Sequence, residues 1–144
     1  MDLFGVETWQ EDAMVDVADA DLKILTARDA ADLFAPILAN CASEKLIVAH
    51  LDGEGRVLGF SETAGMEDRV DLPIRDIVRD ALSVEAHAII LAHNHPSGDP
   101  RPSARDKDST RRLAEVASAI GVALRDHLIF ADGGCRSLRA MGLI

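Results

Sequence analysis

Tyrosine is absent from this chain of 144 residues, and aromatic residues make up only 3% of it. Aliphatic side chains must therefore fill any core, and with 48% apolar residues there are enough of them for one well-buried domain. No apolar run approaches the roughly 20 residues of a membrane span. The start, Met1-Asp2-Leu3-Phe4, lacks a basic stretch followed by an apolar one, so it does not read as a secretion signal. Cysteine is scarce: Cys41 and Cys135 stand far apart in no metal-like spacing. Free thiols in a reducing, cytoplasmic setting are expected. Basic residues are missing from positions 1–21, which hold seven acids and no Lys or Arg. The rest of the chain carries 18 acids and 15 bases, so the net charge of −10 shrinks to −3 once the arm is set aside. Two regions follow: an acidic arm over 1–21 and a near-neutral domain over 22–144. The arm is expected to be solvated and partly disordered, although Phe4, Val6 and Trp9 would suit a partner-binding segment. Neither region resembles a phosphate-binding surface, so direct nucleic-acid binding is not expected.

Periodicity then orders the domain. Thr26-Ala27-Arg28-Asp29 looks like a capping box, opening a helix to about Asn40 with Leu33, Ile37 and Leu38 inward and Pro36 kinking or shortening it. Leu46–Leu51 reads as a buried strand, Asp52-Gly53-Glu54-Gly55 as a turn, and Arg56–Ser61 as the returning strand. A short extended piece, Arg69–Leu72, precedes Pro73. Ile74, Ile77, Val78, Ala81 and Leu82 mark an amphipathic helix. Ala86–Ala92 is an apolar strand. Leu113, Val116, Ala117 and Ile120 give a further helix ended by Gly121. Val122–Phe130 is a strand, Asp132-Gly133-Gly134 a turn, and the last ten residues a short closing element. The expected class is α/β, with helices flanking one mixed sheet.

Between the third long strand and its following helix lies His93-Asn94-His95-Pro96-Ser97-Gly98-Asp99-Pro100-Arg101-Pro102-Ser103-Ala104-Arg105-Asp106. In extended chain, residues i and i+2 share a side, so both imidazoles can face one metal ion. Prolines stiffen the connection and Gly98 permits a bend. Asp106 precedes Leu113 by two helical turns and so lies on the inward face, where a carboxylate needs a partner. Ser103-x-x-Asp106 is equally a helix N-cap signature. The two roles are compatible, because one carboxylate oxygen suffices for a metal. Asp99 and Asp108 are rival third ligands, though Asp99 suits its turn and Asp108 falls about 200° around the helix from Asp106. His50 and His87 read as core or sheet-face histidines. Asp126, alternating with Leu124, Leu128 and Phe130, points to the core, and a structural hydrogen-bonding role suits it and His127. Arg101, Arg105, Lys107, Arg111 and Arg112 form either a solvated face or an attractor for an anionic substrate.

H-x-H, seven residues, S-x-x-D resembles the signature of the JAMM (JAB/MPN) metalloproteases. The longer text HNHPSGDPxPSxxD, with Thr110 and Asp126-His127, is similar to the bacterial RadC-like JAB domain over about residues 25–144. Leu51-Asp52, Pro73-Ile74-Arg75 and Gly142-Leu143 add to the likeness. The resemblance implies a JAB/MPN-like, cytidine-deaminase-like layered architecture. It implies a zinc (Zn2+) site of His93, His95 and Asp106 with water as fourth ligand, Ser103 bonding the oxyanion, and Glu44 as the proton carrier. Without it, Glu44 would pass for an exposed charge at a strand edge. The implied activity is a zinc-dependent peptidase or isopeptidase acting on an unknown amide. Alternatives are a DNA-repair-associated role through DNA or partner binding, as the RadC name suggests, and a non-catalytic scaffold. Longer RadC-like proteins carry an N-terminal helix-hairpin-helix region, and ubiquitin-directed JAMM enzymes carry insertions around the core. Functions tied to either are not implied for this chain. Glu62-Thr63-Ala64-Gly65 stands where the family usually has Gly-Thr, so that loop is expected to differ in shape.

Overall fold

A computed structural model of the chain describes residues 22–39, 41–64, 72–132 and 134–144. The acidic arm, Arg69–Asp71 of the expected extended piece, Gly65 and Gly133 lie outside the described residues. Within them run α1 (Ala27–Leu38), β1 (Lys45–Leu51), β2 (Val57–Ala64), α2 (Ile74–Ser83), β3 (Ala88–Asn94), α3 (Ala104–Ala119), β4 (Ala123–Ala131) and β5 (Gly134–Ser137). The strands form one sheet in the order β2-β1-β3-β4-β5. β3 and β4 are parallel and the other neighbours antiparallel. The parallel pair requires a crossover, and α3 supplies it. Among the described residues no helix is long and apolar enough to cross a membrane.

Strand alternation divides the core between the two faces of the sheet. Leu46, Val48, Ile89 and Leu91 face Ile77 and Ala81 of α2 and Leu113 and Ala117 of α3. Ile47, Ala49, Ile90, Ala92, Leu128 and Phe130 face Ala30, Phe34 and Leu38 of α1. The result is three layers, helix on sheet on helix. Glycines serve where the chain turns sharply: Gly121, at φ 80°, closes α3.

Several expected boundaries move. The Thr26 capping box forms, but α1 ends at Leu38, two residues past Pro36. Its buried stripe is Ala30, Phe34 and Leu38, while Leu33 is only partly buried and Ile37 is 38% exposed. In α2, Leu82 is 54% exposed and Asp80 is buried instead. Val116 on α3 and Ile120 just past its end are 37% and 39% exposed, while Ser109 and Thr110 join Leu113 and Ala117 in the buried stripe. β2 continues past Ser61 to Ala64. β3 continues past Ala92 and includes His93 and Asn94. A bulge at Arg125 moves Leu124 to the α3 face, so Asp126 alternates only with Leu128 and Phe130. His87 lies just before β3 and is exposed, not a core residue. His50 is fully buried, with Nε2 3.1 Å from Ser61 Oγ.

Candidate metal centre

The centre forms at the C-terminal end of β3, outside the sheet and beside the start of its crossover helix. Open α/β sheets commonly bind ligands at this kind of position. His93 follows Ile89 and Leu91 onto the α3 face. His95 continues the strand path, its N–H donating to the Phe130 carbonyl at 2.8 Å. The two rings therefore share a side, and their Nε2 atoms lie 2.9 Å apart. The chain then turns at Gly98, whose φ of 89° strains an ordinary side chain, and a Cβ added there would lie 3.0 Å from Asp132 Oδ2.

Ser103 caps α3. Its Oγ accepts the Asp106 N–H at 2.9 Å, and Asp106 Oδ2 accepts the Ser103 N–H at 2.8 Å. The capping box thus aims the carboxylate back at the histidines. Asp106 Oδ2 is 3.2 Å from His95 Nε2, and Oδ1 is 3.8 Å from His93 Nε2. Asp99 and Asp108 go elsewhere. The Asp99 carboxylate accepts three bonds from the Arg101 side chain at 2.7–3.0 Å. Arg101 holds that carboxyl down to about 2. Asp108 is 73% exposed and pairs with Arg111. Two of the five clustered basic residues are therefore matched by local carboxylates. Ser103 is exposed, and its hydroxyl, accepting from Asp106, retains a proton to donate.

Glu44 reaches the same place through sheet register. β1 runs antiparallel to β3 with Leu46 opposite His93, so the residue two before Leu46 arrives at the end of β3 on the same face. Glu44 Oε1 is 3.9 Å from His93 Nε2, and donor atoms of Glu44, His93 and His95 all lie within 4.8 Å of one another. The local readings of the sequence passed over the residue that holds this segment. Asn94 alternates to the α1 face, where Oδ1 accepts the Lys45 N–H at 2.7 Å and Nδ2 donates to the carbonyls of Ser43 (2.9 Å) and Cys41 (3.3 Å). Its position between two histidines was the available signal, since alternation turns it to the other side of the sheet.

The electrostatics suit a cation. Burial pushes His93 down to about 4, against the pull of Asp106. His95 is raised, chiefly by its hydrogen bond with Asp106. Burial opposes ionisation of Asp106, yet bonds from His95 and Ser103 hold its carboxyl well below the usual carboxylate range. His95 Nδ1 lies 2.8 Å from the Asp99 carbonyl, which can only accept. The Nδ1 proton is committed there, leaving Nε2 of neutral His95 a bare lone pair facing His93. Two imidazole nitrogens and a carboxylate this close need a proton or a metal cation between them. Donors of a tetrahedral zinc stand roughly 3–3.5 Å apart, and the separations of 2.9, 3.2 and 3.8 Å bracket that range. The residues fit a divalent metal. His95, Asp106 and Glu44 are each partly exposed, so the centre is open to solvent on one side.

A separate groove of about 360 Å³, lined by Ile24, Leu25, Ile90, Arg125 and Arg139 among others, opens on the α1 face, away from the histidines. Asp126 borders it and is occupied structurally, accepting from Ser137 Oγ at 2.6 Å and from the N–H groups of His127 and Arg139. Cys41 and Cys135 are free thiols.

Comparison with known proteins identifies the family. Residues 24–143 match the RadC-like JAB domain. The UPF0758 protein STH371 of Symbiobacterium thermophilum is 37% identical over 114 residues, covering 78% of this chain and 49% of that protein. The UPF0758 protein Bpet3149 of Bordetella petrii is 39% identical over 112 residues, covering 77% and 50%. A UPF0758 protein of Methanospirillum hungatei is 33% identical over 142 residues, covering 98% and 60%. The chain spans about half the length of most curated relatives it matches. On the extent of the domain match and on these identities, the chain belongs to the RadC-like JAB domain family.

Proposed function

We propose that the protein is a zinc-dependent hydrolase of the JAMM type, cleaving an amide in a peptide or isopeptide substrate. The observation that carries this reading is the meeting of His93, His95 and Asp106 at one point with Glu44 beside them. Both carboxylates approach the imidazoles. Asp106 comes closer and is oriented by its capping bonds, so it is assigned as the third ligand and Glu44 as the proton carrier.

A zinc ion held there would lower the pKa of a bound water to about 7 and polarise the substrate carbonyl. Glu44 takes a proton from the attacking water and delivers it to the leaving amine nitrogen, breaking the C–N bond. The Ser103 hydroxyl donates to the carbonyl oxygen as negative charge grows there, a contribution typically worth about 10²–10³ in rate. His93 and His95 are held by buried or backbone partners, so they need not reorganise during the reaction.

Elemental analysis of purified protein tests the assignment. The wild type should hold about one zinc per chain. His93→Ala and Asp106→Ala should lose it, while Glu44→Gln should keep the metal and lose turnover on a peptide or isopeptide library. Unchanged zinc content in both ligand variants would falsify the site.

A further inference from the structure

His127 sits on β4, fully buried, on the same face of the sheet as His93. Both of its ring nitrogens meet a partner. Nε2 is 2.6 Å from His93 Nδ1, and Nδ1 is 2.7 Å from Thr110 Oγ1. Thr110 is itself buried on α3, one turn beyond Asp106. The helix that brings a carboxylate to the centre therefore also supports the ring behind it.

An imidazole buried this completely is held neutral and carries a single N–H. Two proton arrangements satisfy the chain of contacts. In one, Thr110 donates to His127, His127 donates to His93 Nδ1, and the His93 proton sits on Nε2, blocking it. In the other, His93 Nδ1–H donates to His127 Nε2 and His127 Nδ1–H donates to Thr110 Oγ1. Only the second leaves His93 Nε2 with a lone pair for a cation. A ligand histidine whose far nitrogen donates to a fixed acceptor is held in both tautomer and ring angle.

We infer that His127, supported by Thr110, is a positioning residue that sets which nitrogen of His93 faces the metal. The inference rests on the metal-site reading above. Sequence reading assigned His127 a structural hydrogen bond, because its contacts with His93 and α3 depend on the parallel pairing of β3 with β4.

Chelator competition measures zinc affinity for the wild type, His127→Leu, His127→Gln and Thr110→Val, with folding followed by circular dichroism. The leucine variant should bind zinc about 10–100-fold more weakly. Glutamine, whose amide oxygen accepts and whose nitrogen donates, should recover most of that loss, and Thr110→Val should fall between. A merely structural role predicts the reverse order, since leucine suits buried surroundings better than glutamine. Equal affinity for the wild type and a folded His127→Leu overturns the inference and leaves the metal site standing. If the wild type binds no zinc, both fall. Should the leucine variant not fold, ¹⁵N spectra of zinc-loaded wild type decide the matter. Protonated Nδ1 and bare Nε2 on His127 support the inference, and the opposite pattern overturns it.

Discussion

Replacing Asn94 with alanine tests how the Glu44 segment is held. The side chain is 2% exposed and makes three bonds to residues 41–45. The two short ones, to the Lys45 N–H and the Ser43 carbonyl, should each contribute about 1 kcal/mol net, and the longer one to Cys41 less. Alanine also removes the acceptor of the Lys45 N–H, whereas the Ser43 carbonyl can turn to water. The expected total is about 2–4 kcal/mol. For a chain of this length that lowers the midpoint of thermal unfolding by roughly 5–15 °C. Urea titration of metal-free wild type and variant measures the difference directly. Asn94→Asp sharpens the test. It retains the acceptor for Lys45 but sets a carboxylate oxygen against the Ser43 carbonyl, so it should rescue nothing. If Asn94→Ala unfolds within about 0.5 kcal/mol of the wild type, Asn94 does not secure this segment.

Two further outcomes are expected. Burial pushes His50 down to about 3, so between pH 6.5 and 3 the unfolded chain takes up a proton that the folded protein refuses. Stability then rises with pH across that window and levels above it; wild type should lose about 1.4 kcal/mol per pH unit more than His50→Gln on acidification, and parallel urea profiles from pH 6 to 4 would rule this out. Ser103→Ala removes the cap on α3 and should cost about 1 kcal/mol by thermal unfolding, whereas Ser103→Gly should cost only a few tenths; equal losses would show that the cap is not the cause.

The parts of the centre that are local in sequence were legible there. Strand period turned His93 and His95 to one side, and helix period chose Asp106 over Asp108. The N-cap at Ser103 was visible because capping depends on residues three apart. Glu44 was not legible locally, since it reaches His93 only through pairing of β1 with β3, and only the family resemblance brought it forward. Asn94 escaped for the same reason, as its partners lie 49 to 53 positions away, and so did the contact of His127 with His93, 34 positions away. The phase of α1 was misjudged because so many of its positions are apolar. The spacing Ala30, Phe34, Leu38 is as regular as the stripe first expected, and the choice depends on how the helix lies on the sheet. Leu82 was misjudged likewise, because α2 presents Ile77, Asp80 and Ala81 to the sheet.

The register of β1 against β3 bears on how relatives of this chain should be compared. Leu46 lies opposite His93, and neighbouring side chains alternate, so Glu44 and Lys45 face opposite sides. Slipping β1 by one residue would present an ammonium group, in place of a carboxylate, to the two imidazoles. Such a chain would keep every letter of the stretch from His93 to Asp106 and still have lost the carboxylate proposed as its proton carrier. An inventory of active family members drawn from that stretch alone would count it as intact. The alignment of an otherwise ordinary strand about fifty residues upstream separates the two cases.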